Sequence, residues 1–588
     1  MTPSKIFAVK HIGIFYLTPM PKKLPYGQSN FADLIERNYA YVDKTRYVEL
    51  LENENNTYQF FIRPRRFGKS LFLSVLENYY DLTRRDKFES IFGNLYIGKK
   101  PTPEQGRYAV MLFDFSGLDT DSHERFRESF SNRVQMLVQA FLERYKNAIN
   151  NSDKFIEQSY RANLGIGAMD IAYKAASDAG IPIFAIIDEY DHFANNLIAM
   201  GEIYASEVKR GGIVRAFYEN LKAGTKSVVK RIFITGITPM MLNDLTSGFN
   251  MATDCSLFPK YNEMMGFTRE EVELLMQETG VDKNLIKFDM ESYYNGYMFN
   301  EYGENKVYNS QMILYLFNQV LQLGMQPKQI IDTNLQTDYA RLRRLAENES
   351  NREKLLQITR DGGVVGNVIE KFSLEKLNDS EYFVSLLFYL GMLTNGGVRE
   401  GQLYLKIPNY SIRTLYWEYI VAYVQDLEKT QISTAELSNT FREMAFRGNI
   451  KLYLDFFTEN FLKRLSNRDL MNFDEKYIKV MMLSTLFISR LYLPVSEDET
   501  TEGYTDIYLQ KHPAIPDIKF EYVFEIKYAK TGATEADIKA KFDEAEAQIE
   551  KYRKDQRFVN RDDVKFAAIV FKGKGEYEIM PVPVGHIH

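Results

Sequence analysis

The sequence predicts an α/β chain: a doubly wound parallel sheet, then a mostly helical middle region, then a smaller α/β unit at the C-terminus. Three observations carry that expectation. Phe60-Phe61-Ile62 runs into Arg63-Pro64-Arg65-Arg66-Phe67-Gly68-Lys69-Ser70 and out into an apolar periodic segment, the order strand, phosphate loop, helix. Ile181 to Ile187 is a continuous apolar run closed by Asp188-Glu189-Tyr190-Asp191, as in strands buried on both faces of a parallel sheet. Near the end, Gly503 to Leu509 and Phe520 to Tyr528 read as a hairpin that brings Asp506, Glu525 and Lys527 together.

Composition narrows the options. With 588 residues the chain can bury several cores. Charged residues are 26% and hydrophobic ones 45%, ordinary for a globular protein. The net charge of -6 gives no global basic field, so any nucleic-acid contact must come from a local face. Cys255 is the single cysteine, which excludes intrachain disulfides and cysteine-rich zinc sites. The six histidines show no metal-ligand spacing within a domain. No apolar run approaches the ~20 residues of a membrane span. Lys10 and His11 interrupt the apolar stretch that a signal peptide would need. Residues 1–29 therefore read as an extension of a cytoplasmic protein, with Met20 as an alternative start.

The phosphate loop is argued from what a polyphosphate requires: backbone N–H donors, a positive helix N-terminus and a mobile ammonium. Gly68 lets the backbone come close. Lys69 can reach the β- and γ-phosphates, and Ser70 offers its hydroxyl to Mg²⁺. The strict pattern places a glycine where Arg63 stands, and Gly-Lys-Ser alone also fits a turn capped by Ser70. Arg63, Arg65 and Arg66 would each need an anion or an acidic side chain nearby. The second apolar run completes the picture, because ligands of parallel sheets sit at the carboxyl ends of the strands. Asp188 would then hold the Mg²⁺ shell and Glu189 would polarise the attacking water.

Tyr41-Val42-Asp43-Lys44-Thr45, the arginine-rich loop and Ile187-Asp188-Glu189-Tyr190-Asp191 together resemble the bacterial AAA-ATPase-like family. Members commonly carry a PD-(D/E)XK nuclease-like domain at the C-terminus. The resemblance spans roughly residues 30 to 300 and implies an ATP site lined by Arg65, Arg66, Phe67, Gly68, Lys69, Ser70 and Leu71. In that family the arginine-rich loop replaces the glycine-first form. Arg231 to Gly236 reads as a further strand, whose Thr235 would sit beside the phosphates as a sensor residue does in related ATPases, or would simply end the strand. Tyr108 to Phe115 is another buried strand, and its Asp114 and Ser116 fit strand-end capping better than a site role.

Helices are expected over Ser70–Tyr80, His123–Tyr145, Ala168–Ala179 and Val208–Ala223. From Gly266 the character changes. Thr268-Arg269-Glu270-Glu271 is a capping box. Helices follow over Gln311–Gln322, Asp338–Ala346, Tyr382–Leu390 and near Leu415, with one short strand at Leu403–Ile407. Tyr293-Tyr294-Asn295-Gly296-Tyr297 matches a family element for which packing is the simplest role.

At the C-terminus the period of a strand puts Glu525 and Lys527 on one face. If Asp506 lies opposite, two carboxylates converge with an ammonium, a site for Mg²⁺-assisted phosphodiester hydrolysis in which Lys527 positions or activates the water. Charged residues on an exposed strand face are the plainer alternative. This stretch resembles the PD-(D/E)XK nuclease superfamily: Asp506 and Glu525-Ile526-Lys527 match its motif, Glu475 matches the helix glutamate that joins the metal shell, and Gln548 with Tyr552 matches a frequent glutamine–tyrosine element. The family's arginine two residues before the aspartate is replaced by Tyr504.

The expected organisation is an extension over 1–29, a P-loop NTPase domain over 30–265, a helical connector over 266–470 and a restriction-endonuclease-like domain over 471–588. Expected cofactors are ATP and Mg²⁺, and the expected partner is nucleic acid, DNA ahead of RNA, in a defence or DNA-processing role. A non-enzymatic nucleotide-dependent switch is the alternative. The resemblance also raises homo-oligomeric assembly, for which no arginine can be assigned as a finger acting across subunits.

Overall fold

The computed structural model describes residues 20–162, 164–191, 207, 211–239, 251–332, 348–428, 433–464, 474–489, 491–500, 503–512, 514–573 and 575–582. The expected Asp338–Ala346 helix and all but the end of the N-terminal extension lie outside them, as do residues 208–210 at the start of the expected Val208–Ala223 helix, which is described from Ile213 to Gly224.

Five strands build the first sheet: β1 (Tyr58–Ile62), β2 (Ala109–Asp114), β3 (Ile183–Asp188), β4 (Val229–Gly236) and β5 (Thr253–Asp254). Their order is β2-β3-β4-β1-β5 and every pairing is parallel. All six residues of β3 are buried, which explains why its sequence is apolar without alternation. The register sets Asp114 beside Asp188 and Phe61 beside Thr235. The carboxyl ends of β1, β3 and β4 therefore lie side by side, and the phosphate loop leaves from β1 into the helix Lys69–Tyr80. Asp114 accepts from the Ser116 backbone N–H at 2.8 Å, the strand-end capping expected of it.

The middle region is less purely helical than its sequence suggests. β6 (Gly363–Val365), β7 (Thr394–Arg399) and β8 (Gln402–Lys406) form an antiparallel sheet in the order β6-β8-β7. β7 opens Thr394-Asn395-Gly396-Gly397, residues that do not favour strands. Its pairing comes from the tight turn at Glu400 and Gly401, both at positive φ.

The C-terminal unit is a mixed sheet of β9 (Tyr492–Thr500), β10 (Gly503–Lys511), β11 (Glu521–Ala529), β12 (Val564–Lys572) and β13 (Glu576–Val582), in the order β13-β12-β11-β10-β9. β10 and β11 are the expected hairpin, and β12 runs parallel to β11 after the helix Glu535–Tyr552. β9 escaped the sequence reading because Pro494 and the acidic run after Ser496 read as loop; both are tolerated on an edge strand. Ile538, Phe542, Ala545 and Ile549 of the helix pack with Val523, Val564 and Ala568 of the sheet in one apolar cluster.

Candidate functional sites

The phosphate loop is positioned by backbone conformation first. Gly68 sits at φ +95° at the start of its helix, where a side chain would be strained. Lys69 is buried, and its Nζ donates to the carbonyls of Arg63 and Pro64, 2.9 Å each, so the ammonium lies curled in the loop. Burial pushes it down to about 8, against the pull of Asp188, Asp191 and Glu189. The Ser70 hydroxyl donates to Asp188 Oδ2 at 2.9 Å across 118 residues of sequence. Burial raises the Asp188 carboxyl above its ordinary range, opposed by that hydrogen bond and by Lys69. Glu189 adopts φ +49°, uncommon for a side-chain-bearing residue. It lines the cavity that opens over the loop. Asp191 accepts from the Ile237 and Thr238 N–H groups at 3.1 and 2.8 Å and so pins the end of β4.

That cavity measures about 620 Å³, within the usual range for a cofactor site. Arg65, Arg66, Phe67, Gly68, Lys69, Ser70 and Leu71 line it together with the apolar side chains of Tyr41, Val42, Leu275 and Leu314. A lining that joins a phosphate loop to apolar side chains suits a nucleotide. Lys44 is fixed behind it by Glu271, at 2.6 Å, and by the Glu263 carbonyl, at 2.9 Å. This explains the Tyr41–Thr45 motif as a clamp between the N-terminal segment and the Arg269–Thr279 helix.

Arg63 and Thr235 are both held inside the fold. The Arg63 guanidinium donates to the carbonyls of Ile62 at 3.0 Å, Ser256 at 2.6 Å and Tyr261 at 3.0 Å, with Asp254 the acidic side chain whose charge it feels. It lies between the Phe61 and Phe299 rings, 4.2 and 4.3 Å from their centroids. The arginine replacing the motif glycine is therefore an internal strut. Thr235, expected beside the phosphates, is wholly buried and spends its hydroxyl on the Phe61 carbonyl at 2.6 Å, tying β4 to β1.

The middle region grips the loop. Gly266 N–H donates to the Phe67 carbonyl at 3.1 Å, and Gln311 N–H to the Arg66 carbonyl at 3.3 Å. The Phe67 ring packs edge-on against Tyr297 and Phe299, at 4.9 and 5.4 Å. The Tyr293–Tyr297 element thus packs, as expected, but against the phosphate loop itself.

In the C-terminal unit the predicted trio converges. The β10–β11 register, Ile507 opposite Phe524, extends to Asp506 opposite Glu525. Lys527 Nζ contacts Glu525 Oε1 at 2.8 Å, and the Tyr552 hydroxyl donates to Glu525 Oε2 at 2.9 Å. Asp506 Oδ2 accepts from the Ile526 N–H at 2.8 Å, and Oδ1 is paired with Lys479. All three residues of the trio are buried. Burial, with Asp506 beside it, pushes Glu525 up to about 7. Burial works against the charge of Lys527, but its bond to Glu525 holds it above its ordinary value. Lys479 was missed from sequence, although its position one helical turn after Glu475 puts both on one face.

The donor types suit a hard divalent cation: two carboxylates on adjacent strands, with Asp506 disfavouring the charge of Glu525. Glu475 starts the helix Glu475–Phe487 and stands beside the trio, 3.7 Å from Lys527. Among the described residues no three His, Cys, Asp or Glu side chains gather as a metal-holding group. Asp506 and Glu525 are the pair a cation would meet. Among the described residues, no helix is long and apolar enough to cross a membrane.

Comparison with known proteins matches the two regions that hold these residues. A family model described as predicted AAA-ATPase matches residues 25–246, and one described as PD-(D/E)XK nuclease superfamily matches residues 473–578. An uncharacterised protein in the vnfD 5′ region of Azotobacter chroococcum mcd 1 is 25% identical over 499 residues, covering 83% of this chain and 86% of that protein. The Walker-type ATPase of Pyrococcus abyssi aligns over 68% of this chain and 99% of its own, with TM-score 0.37 and 14% identity. The Aeropyrum pernix Orc1 protein, solved in complex with DNA, aligns over 67% and 98%, with TM-score 0.25 and 10% identity. With the residues that carry each motif close in space, the chain carries an AAA-ATPase-like region over residues 25–246 followed by a region of the PD-(D/E)XK nuclease superfamily over residues 473–578.

Proposed function

We propose that the chain binds and hydrolyses ATP with Mg²⁺, and that its C-terminal domain is a Mg²⁺-dependent phosphodiesterase acting on nucleic acid, DNA ahead of RNA. The observation that carries the first half is the Ser70–Asp188 contact at 2.9 Å, which joins the first turn of the helix after the loop to the carboxyl end of β3, beside the cavity that Ser70 lines. The Lys69 ammonium neutralises phosphate charge once it leaves the loop carbonyls. The Ser70 hydroxyl and the Asp188 carboxylate hold the cation, and Glu189 orients and deprotonates the attacking water. In the second site Asp506 and Glu525 hold the cation and Lys527 orients the nucleophilic water. Bound Mg²⁺ supplies Lewis acidity and lowers the pKa of its water.

The test is paired. ATP turnover by the wild type against Glu189→Gln, and DNA cleavage in Mg²⁺ by the wild type against Asp506→Ala, should each fall by about a hundredfold or more. Turnover or cleavage that survives the substitution removes that half of the proposal. A second reading, a nucleotide-operated switch without turnover, is favoured by the hydrogen bonds from Gly266 and Gln311 to the loop carbonyls. ATP binding that Lys69→Ala abolishes, in a wild type with no turnover, would select it.

A further inference from the structure

Lys479 has no place in the motif that defines the C-terminal site, yet it makes that site's tightest contact. Its Nζ is paired with Asp506 Oδ1, and the two side chains are 16% and 12% exposed, so the pair is screened from water. The other oxygen of Asp506 is taken by the Ile526 backbone N–H. A cation approaching Asp506 must therefore compete with the Lys479 ammonium for Oδ1.

The two lysines of the site are not equivalent. Lys527 pairs with Glu525 and also has Glu475 and Glu544 at 3.7 Å. Its charge stays compensated when Glu525 turns to a metal ion. Lys479 has its ion pair with Asp506, and feels the Glu475 carboxylate one helical turn before it only as a weaker charge. Once Asp506 is occupied, a largely buried ammonium loses its direct counter-ion, a costly state that an incoming anion relieves. The anion a phosphodiesterase brings to this place is the backbone phosphate of its substrate.

We propose that Lys479 is the placeholder for the divalent cation at Asp506 and, once displaced, the group that takes a phosphate oxygen of the DNA backbone. The inference rests on the metal-dependent reading of the C-terminal site given above. It assigns metal entry and substrate binding to one side chain moving between two partners, so that the site closes on itself until both arrive.

The test uses the full chain without nucleotide. Mn²⁺ binding is followed by electron paramagnetic resonance, and the C-terminal component is the one that Asp506→Asn abolishes. In Lys479→Met that component should bind Mn²⁺ about tenfold tighter or more, because a charge-assisted competitor has gone. The same variant should bind a fluorescent duplex DNA oligonucleotide in Ca²⁺ roughly tenfold more weakly. Lys479→Arg, which keeps the charge, should follow the wild type in both. Opposite signs in the two readouts separate this role from a structural one, which would weaken both together. Mn²⁺ binding that Lys479→Met leaves unchanged or weaker overturns the inference while the metal site stands. No Asp506-dependent component in any variant overturns the metal reading and the inference with it.

Discussion

Replacing Arg63 by glycine would restore the strict phosphate-loop pattern, so motif logic makes it harmless. The structure makes it severe. Arg63→Gly removes a guanidinium that donates to three backbone carbonyls, of Ile62, Ser256 and Tyr261. It also empties the slot between the Phe61 and Phe299 rings. A charged donor to a carbonyl contributes about 1.5 kcal/mol net at the low end, and three of them sum to about 4.5 kcal/mol. The terms are not additive and the arginine's own burial cost is recovered, so about 3 kcal/mol is the working figure, the lower end for opening a buried charged network. Against a domain stability of about 5–15 kcal/mol that is a large share, and it falls locally on β1 and the segment around Ser256. Hydrogen exchange read by mass spectrometry should show the Tyr58–Ile62 amides exchanging about a hundredfold faster, with nucleotide affinity reduced in parallel. Exchange within about threefold of the wild type would refute the strut.

Two further outcomes follow from the same geometry. Burial holds Lys69 down at about 8 against an ordinary 10.5. In the apoprotein its stabilising contribution is complete above 10.5 and is lost as pH falls through about 8; for ATP the sign is opposite, since the phosphates require the ammonium. ATP affinity should be flat below pH 8 and fall by up to tenfold per pH unit above it, with proton uptake on binding seen by calorimetry in buffers of different protonation heat. Gly296 sits at φ +104°, where an added Cβ would lie 2.0 Å from the Pro408 carbonyl oxygen. Gly296→Ala should lower the thermal midpoint and loosen the Phe67 contact, whereas Gly397→Ala, at φ +96° but in open space, should cost only about 1 kcal/mol; equal costs would contradict the steric account.

The sequence announced what depends on short-range chemistry. The all-buried strand β3, the Gly68-Lys69-Ser70 turn and the pairing of Glu525 with Lys527 two residues on are each written in nearly consecutive residues, and each forms as read. Asp506 meeting Glu525 and Lys527 was legible because a hairpin fixes its own register. The losses occur where a side chain's role depends on a partner far along the chain. Arg63 read only as needing an anion or an acidic side chain, because its main partners, the carbonyls of Ser256 and Tyr261, are backbone atoms that no side-chain pattern marks. Thr235 could be a sensor or a plain strand end, because a strand end beside a phosphate loop fits both; its hydroxyl lies between strands, as the second reading has it. β7 and β9 were lost to glycines and acidic residues that lower strand propensity, which edge pairing overrides.

The two sites are linked by continuous packing, which the linear order of the domains conceals. Phe67 of the phosphate loop touches Tyr297. The element containing Tyr297 is bound to the start of the next helix by Asn409, which donates to the Asn295 carbonyl at 2.8 Å, and by Ser411, which donates to the Tyr293 carbonyl at 2.7 Å. Tyr293 packs on Tyr410 at 4.8 Å, Tyr410 on Trp417 at 5.2 Å, and Trp417 on Phe487 at 5.7 Å. Phe487 ends the helix Glu475–Phe487, whose first turns carry Glu475 and Lys479 into the nuclease site. Close-packed aromatic contacts of this kind resist compression and sliding, and a 13-residue helix is a stiff rod of about 20 Å. A displacement of the phosphate loop large enough to move Phe67 therefore has few places to be absorbed before it reaches Lys479. Lys479, paired with Asp506, thus stands on a helix joined to the Phe67 loop by two runs of ring contacts, with the Tyr293–Tyr297 element and its hydrogen bonds to Asn409 and Ser411 between them.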